Sequence, residues 1–121
     1  MNPAEIFDRS VYDDLVVELS IDDAAEVLCT FLADTAGKLE RLSAGRLYSA
    51  VMRREAHSIK SSSATLGFFE LSRRAAEMEA SARDADPERL QGFVCELQQS
   101  FTRVRRLAAN VLREGNREVV R

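Results

Sequence analysis

The stretch DPERLQGFVCELQQSFTRVRRLAANV, residues 86–111, sets the fold class. Its apolar residues Leu90, Val94, Leu97, Phe101, Val104, Ala108 and Val111 recur in alternating steps of four and three. That period belongs to one face of a helix, and it makes a seam that packs against neighbouring helices at a shallow angle. The start is marked as well. Asp86 stands where a cap belongs, Pro87 fits the first helical position, and Glu88 follows in the first turn.

The same signals recur towards the N-terminus. Phe68, Leu71, Ala75, Met78 and Ala82 make a second apolar stripe, which ends at Asp84-Ala85-Asp86. A third helix is expected from about Arg46 to Ala64, closed by Thr65-Leu66-Gly67. Before it, Ser20-Ile21-Asp22-Asp23 starts a long helix with apolar positions Ala24, Leu28, Phe31, Leu32, Thr35, Leu39 and Leu42, and Ser43-Ala44-Gly45 breaks it. Asn2 and Pro3 open an additional N-terminal helix, which the sequence interrupts near Arg9-Ser10 and resumes through Tyr12, Leu15, Val16 and Leu19. Short connections between long amphipathic helices make antiparallel neighbours. The expectation is therefore an all-α chain: an antiparallel up-down four-helix bundle with an additional N-terminal helix. Residues 1–121 read as one domain, with the bundle core at about 20–112 and a frayed tail over 115–121. The aromatic residues Phe31, Phe68, Phe69, Phe93 and Phe101 are expected in the core.

Composition narrows the function. The 121 residues are 45% hydrophobic and 31% charged, with a formal net charge of -3. A mildly acidic chain is a poor general binder of nucleic acid. No apolar run approaches the roughly 18–20 residues that span a bilayer, and the N-terminus lacks the basic and apolar layout of a signal peptide. The only cysteines, Cys29 and Cys95, lie far apart and suit a reduced, cytoplasmic setting. With one histidine and no Cys-x-x-Cys, the sequence holds no zinc pattern, and no metal site is expected. Charge is unevenly placed. Residues 1–36 hold nine acidic side chains and one basic one, Arg9, so the excess of basic charge lies in the remainder.

The segment that carries chemistry is Glu55-Ala56-His57-Ser58-Ile59-Lys60-Ser61-Ser62-Ser63-Ala64-Thr65-Leu66-Gly67. On a helix, Tyr48, Met52, Ala56, Ile59, Ser63 and Leu66 fall within roughly 60° of Ile59 and must face the core. His57 lies about 160° from Ile59 and faces solvent. Arg53 and Arg54 stand one turn before it, Lys60 and Ser61 one turn after, and Ala50 and Ala64 share its face. The only histidine is thus ringed by cations and small side chains. Cations disfavour a positive ring and favour neutral imidazole, the nucleophilic form. They also stand where a phosphoryl group on the ring would need charge compensation. Lys38 and Lys60 are the only lysines among 17 basic residues, so a lysine three after the histidine is a pointed choice. On geometry alone, an inert surface histidine fits the same pattern.

Ala56-His57-Ser58-Ile59-Lys60-Ser61-Ser62-Ser63-Ala64-Thr65-Leu66-Gly67 resembles the signature of the histidine-containing phosphotransfer (HPt) domain family, roughly Ala-His-x-Leu-Lys-Gly-Ser-Ser/Ala-x-x-Leu-Gly. Glu77-Met78-Glu79, leading to Arg83-Asp84-Ala85-Asp86, resembles the helix and acidic turn that follow it. The likeness in helix layout spans about residues 3–112. One position departs: Ser61 stands where the family has glycine.

The resemblance implies a phosphorelay intermediate rather than an autonomous kinase. His57 would accept a phosphoryl group from a receiver-domain aspartyl phosphate and pass it to another receiver's aspartate. Lys60 would balance its charge, with Arg53 and Arg54 as further cations and Ser61 and Ala64 lining the contact. Ile6, Phe7, Val11 and Leu15 would dock the receiver. Partners would be response-regulator receiver domains and a hybrid histidine kinase, with neither nucleic acid nor membrane involved. The chain would act as a monomer without cofactor, and magnesium would sit on the receiver. No nucleotide-binding glycine loop and no Gly-x-Ser-x-Gly accompany the motif. Two alternatives stay open: a helical adaptor that docks and sequesters a receiver without transfer, and a plain structural bundle.

Overall fold

A computed structural model describes residues 3–45 and 48–120, and among them the side chains of 5–45 and 48–115. The elements are α1 (Pro3–Ile6), α2 (Arg9–Leu19), α3 (Ile21–Ala44), α4 (Ser49–Thr65), α5 (Phe69–Ser81) and α6 (Pro87–Val120). Helix α4 packs on α5, α5 on α6, α6 on α3, and α3 on α4, which closes a four-helix ring. Helix α2 lies along α3, and α1 reaches α5. The chain is all-α, as its apolar periods require.

The helix starts have identifiable causes. The Ser20 hydroxyl accepts from the Asp23 amide at 3.1 Å and caps α3. Ser20 is the one residue between α2 and α3, and its φ of 142° is costly for a residue with a Cβ, a cost the cap offsets. Asp86 caps α6 by accepting from the Arg89 amide at 2.8 Å. The break in the N-terminal segment falls at Phe7-Asp8 rather than at Arg9-Ser10. Asp8 is the reason, since its carboxylate accepts from both the Ser10 amide and the Ser10 hydroxyl and restarts the helix. Helix α4 begins at Ser49. Tyr48, expected on the core stripe, precedes that start with extended backbone and is exposed. The expected cap Asn2 and the expected start at Arg46 lie outside the described residues. Helix α6 continues past Gly115 to Val120, where the sequence predicts a frayed tail. A side chain at Gly115 would sit in ordinary contact with Ile21, so the last part of α6 still runs against the start of α3.

Helix α4 ends in a tight reversal. The Gly67 amide donates to the Ala64 carbonyl at 3.1 Å, and the Phe68 amide donates to the Ser63 carbonyl at 2.9 Å. These two bonds form a Schellman motif, with Gly67 in the left-handed conformation at φ +87°. Phe68 then enters the core fully buried, stacked between Phe7 at 4.5 Å and Phe31 at 5.6 Å. Phe69, expected in the core, is instead 42% exposed. It follows Phe68 directly, and two successive helical residues cannot share one face.

Below the reversal, α5 is tied to α6 by a buried carboxylate. Glu70 is fully buried and its Oε1 accepts from Ser100 Oγ at 2.7 Å and from Arg103 Nε at 2.9 Å. A buried charge needs such partners, so this pair fixes the register of α5 on α6.

The reversal yields a direct test. A Cβ on Gly67 would stand 2.6 Å from the Asp8 carbonyl oxygen and 3.0 Å from Val11 Cβ, on a backbone that L-residues avoid. Gly67→Ala is expected to lower the unfolding free energy by about 2 kcal/mol or more. Urea denaturation measures it, and a loss under about 0.5 kcal/mol would show that the turn tolerates a side chain.

Candidate functional site

His57 sits in the middle of α4 with 64% of its side chain exposed. Met52, Ala56, Ile59 and Ser63 are buried on the opposite stripe, and this turns His57 outwards. Lys60 is half-buried one turn on. The two are joined by a residue from the neighbouring helix. Glu79 on α5 places Oε2 at 2.6 Å from His57 Nδ1 and Oε1 at 2.6 Å from Lys60 Nζ. One carboxylate thus bridges an imidazole and an ammonium.

This bridge sets the chemistry of the ring. The Lys60 ammonium holds the Glu79 carboxyl below the usual carboxylate range. Desolvation opposes that lowering, and the His57 contact adds to it. An ionised carboxylate only accepts hydrogen bonds, so Nδ1 must donate to it. In neutral imidazole the proton is then on Nδ1 and the lone pair on Nε2. With Nδ1 turned to Glu79, Nε2 is the nitrogen left for an incoming electrophile.

The small residues around His57 are occupied by the helix itself. Ser62 Oγ donates to the Ser58 carbonyl at 3.0 Å, Ser63 Oγ to the Ile59 carbonyl at 2.6 Å, and Thr65 Oγ1 to the Ser61 carbonyl at 2.9 Å. Ser72 of α5 donates to the Lys60 carbonyl at 2.9 Å and pins α5 beside the site. Ser61 is exposed and Ala64 half-buried, so neither raises a wall beside His57.

Arg53 is half-buried and Arg54 exposed. Arg54 Nε lies 4.0 Å from Glu55, which is also 4.0 Å from Arg41 on α3. Neither arginine joins the His57–Glu79–Lys60 cluster by a hydrogen bond among the described residues.

The residues expected to dock a partner divide into two pairs. Ile6 and Phe7 are 8% and 9% exposed, and Phe7 is stacked on Phe68. They belong to the core. Val11 and Leu15 are half-buried: Val11 lies over Gly67, and Leu15 packs on the core cluster. Among the described residues, the exposed large apolar ones are Val17, Leu19, Val27, Tyr48, Val51 and Phe69.

Glu79 is the participant that the motif does not contain. A helical hairpin closing at Gly67 brings its second arm back along the first, and a carboxylate 22 residues after the histidine then faces it. Among the described residues, no group of three or more His, Cys, Asp or Glu side chains could hold a metal ion. No helix among them is long and apolar enough to cross a membrane. Cys29 and Cys95 are free and exposed.

The depressed Glu79 acidity has a defined pH consequence. Because its folded value lies below its unfolded value, the bridge is intact above the ordinary glutamate range and is lost only as pH falls through the lower, folded value. Carboxyl carbon NMR should find Glu79 titrating below the exposed glutamates. Lys60→Met should return it towards the ordinary glutamate range, and His57→Gln should move it less. An unchanged titration in Lys60→Met would contradict the bridge.

Comparison with known proteins agrees with this geometry. The family model described as Hpt domain matches residues 23–107, well over half of the chain. The fold is similar to the crystal structure of histidine-containing phosphotransfer protein B (HptB) from Pseudomonas aeruginosa PAO1. The TM-score is 0.82 at 27% sequence identity, covering 97% of this chain and 98% of that one. No curated protein matches the chain. With its helical bundle and with residues 23–107 matched, the chain belongs to the Hpt domain family.

Proposed function

We propose that this protein is a phosphohistidine intermediate of a two-component phosphorelay, with His57 as the acceptor. The observation that carries this reading is the exposed mid-helix imidazole whose Nδ1 is held at 2.6 Å by Glu79, leaving Nε2 outward. In the forward step the Nε2 lone pair attacks the phosphorus of a receiver's aspartyl phosphate. The Nε2–P bond forms, the acyl P–O bond breaks, and its electron pair returns to the receiver's aspartate as carboxylate. The ring gains positive charge and keeps its Nδ1 proton against Glu79, which stabilises that charge. Onward transfer is the reverse step to a second receiver's aspartate. Such a reaction runs mainly on positioning and charge neutralisation.

The geometry supports a role for each residue. Glu79 orients the ring and stabilises its charged form. Lys60 keeps Glu79 ionised and adds positive potential near the phosphoryl group. Arg53 and Arg54 contribute to that potential at longer range. Ser61 and Ala64 leave space for a receiver to approach, and the exposed parts of Val11 and Leu15 contribute to its docking. Magnesium, required to handle aspartyl phosphate, would sit in the receiver's own acidic pocket. The partners are response-regulator receiver domains and a hybrid kinase that carries one. A cytoplasmic monomer suits this role.

Phosphoryl uptake from a phosphorylated receiver domain tests the proposal. The native chain is expected to gain an acid-labile, alkali-stable phosphoryl group, and His57→Gln is expected to gain none. No uptake by the native protein, with tight receiver binding unaffected by His57→Gln, would replace transfer with the docking adaptor. Neither uptake nor binding would leave a structural bundle.

A further inference from the structure

The chain's only two lysines, Lys38 and Lys60, both come to the neighbourhood of His57, although the remaining basic residues are all arginine. They arrive from different helices. Lys60 is on α4 itself. Lys38 is on α3, and its Nζ donates to Ser58 Oγ at 2.6 Å. Ser58 follows His57 directly, so on the helix it lies about 100° to one side of His57, with Lys60 about 60° to the other. Lys38 therefore meets α4 on the side of His57 opposite to Lys60.

Their electrostatic states differ. Lys60 is paired with Glu79, so part of its charge is offset there. Lys38 is half-buried and bonded to a neutral hydroxyl. Two carboxylates stand in register to neutralise it: Asp34 one turn earlier on α3, and Glu55 one turn before Ser58 on α4. Neither forms an ion pair with Lys38, and Glu55 lies nearest to Arg41 and Arg54. No other carboxylate among the described residues pairs with Lys38. The ammonium next to the residue that follows His57 is thus held by a neutral hydroxyl rather than by a carboxylate. A lysine suits this better than an arginine, being a compact point charge on a flexible stem.

We propose that Lys38 is a second phosphoryl-binding residue, whose ammonium leaves the Ser58 hydroxyl for a phosphoryl oxygen once Nε2 carries the group. This rests on the phosphotransfer reading above. It assigns the two lysines different tasks: Lys60 tunes the carboxylate behind the ring, and Lys38 balances the phosphoryl charge on its outer side. Ser58 is then a rest position for Lys38 in the unphosphorylated state.

The test uses the native chain, Lys38→Met, Lys38→Arg and Ser58→Ala, each phosphorylated from a receiver domain or from phosphoramidate. Phosphorus NMR follows the second ionisation of the phosphohistidine. A nearby cation favours the dianion, so Lys38→Met is expected to move this titration up by about half a pH unit or more. Lys38→Arg should restore it, and Ser58→Ala, which frees Lys38, should keep the native midpoint or lower it. Onward transfer to a receiver should fall several-fold in Lys38→Met only. A phosphoryl titration in Lys38→Met that superimposes on the native one would overturn the proposal, even if the variant were less stable. Absence of any phosphohistidine in the native chain would instead overturn the reading beneath it, and this proposal with it.

Discussion

The site depends on the reversal at Gly67. Its left-handed backbone lets α4 stop and α5 start within a few residues, and no side chain could occupy that position without meeting the Asp8 carbonyl oxygen. The Gly67 carbonyl in turn accepts from the Asp8 amide at 2.9 Å, so the N-terminal segment is fastened to the same turn. Phe68, the next residue, fills the space between Phe7 and Phe31. A looser or longer connection would change the register of α5 along α4. Glu79 would then no longer stand opposite both His57 and Lys60, and Ser72 would no longer reach the Lys60 carbonyl.

With that register set, the electrostatics follow a short chain of dependence. Lys60 keeps Glu79 charged, Glu79 accepts a hydrogen bond from Nδ1, and the position of that proton leaves the free lone pair on Nε2. The carboxylate also offsets the positive charge that the ring acquires on phosphorylation. In the proposed relay each element would serve both directions of transfer. Ser62, Ser63 and Thr65 keep their hydroxyls on helix carbonyls, so the surface beside His57 stays low.

Much of this is legible in the residues. The four long helices follow from apolar periods, and the outward direction of His57 follows from the stripe through Met52, Ala56, Ile59 and Ser63. Lys60 falls beside it for the same local reason. What escapes a sequence reading depends on contacts between helices. Glu77-Met78-Glu79 reads as part of the helix that follows the motif, but only the hairpin register shows Glu79 bridging His57 and Lys60. Ile6 and Phe7 look like surplus apolar residues in an acidic segment, yet both are buried, with Phe7 stacked on Phe68. Phe69 reads as core because its neighbour belongs there, although successive residues on a helix diverge by about 100°. Helix α6 outlasts its apparent stop at Gly115 because a lone glycine weakens a helix without ending it.

The central claim is that Glu79 fixes the tautomer of His57 and so presents Nε2. Long-range proton–nitrogen correlation NMR of the imidazole, recorded where the ring is neutral, tests it most directly. The account predicts a protonated Nδ1 and an unprotonated Nε2 in the native chain, with that preference lost in Glu79→Ala. A neutral ring protonated on Nε2, or one whose tautomer balance is indifferent to Glu79, would contradict it.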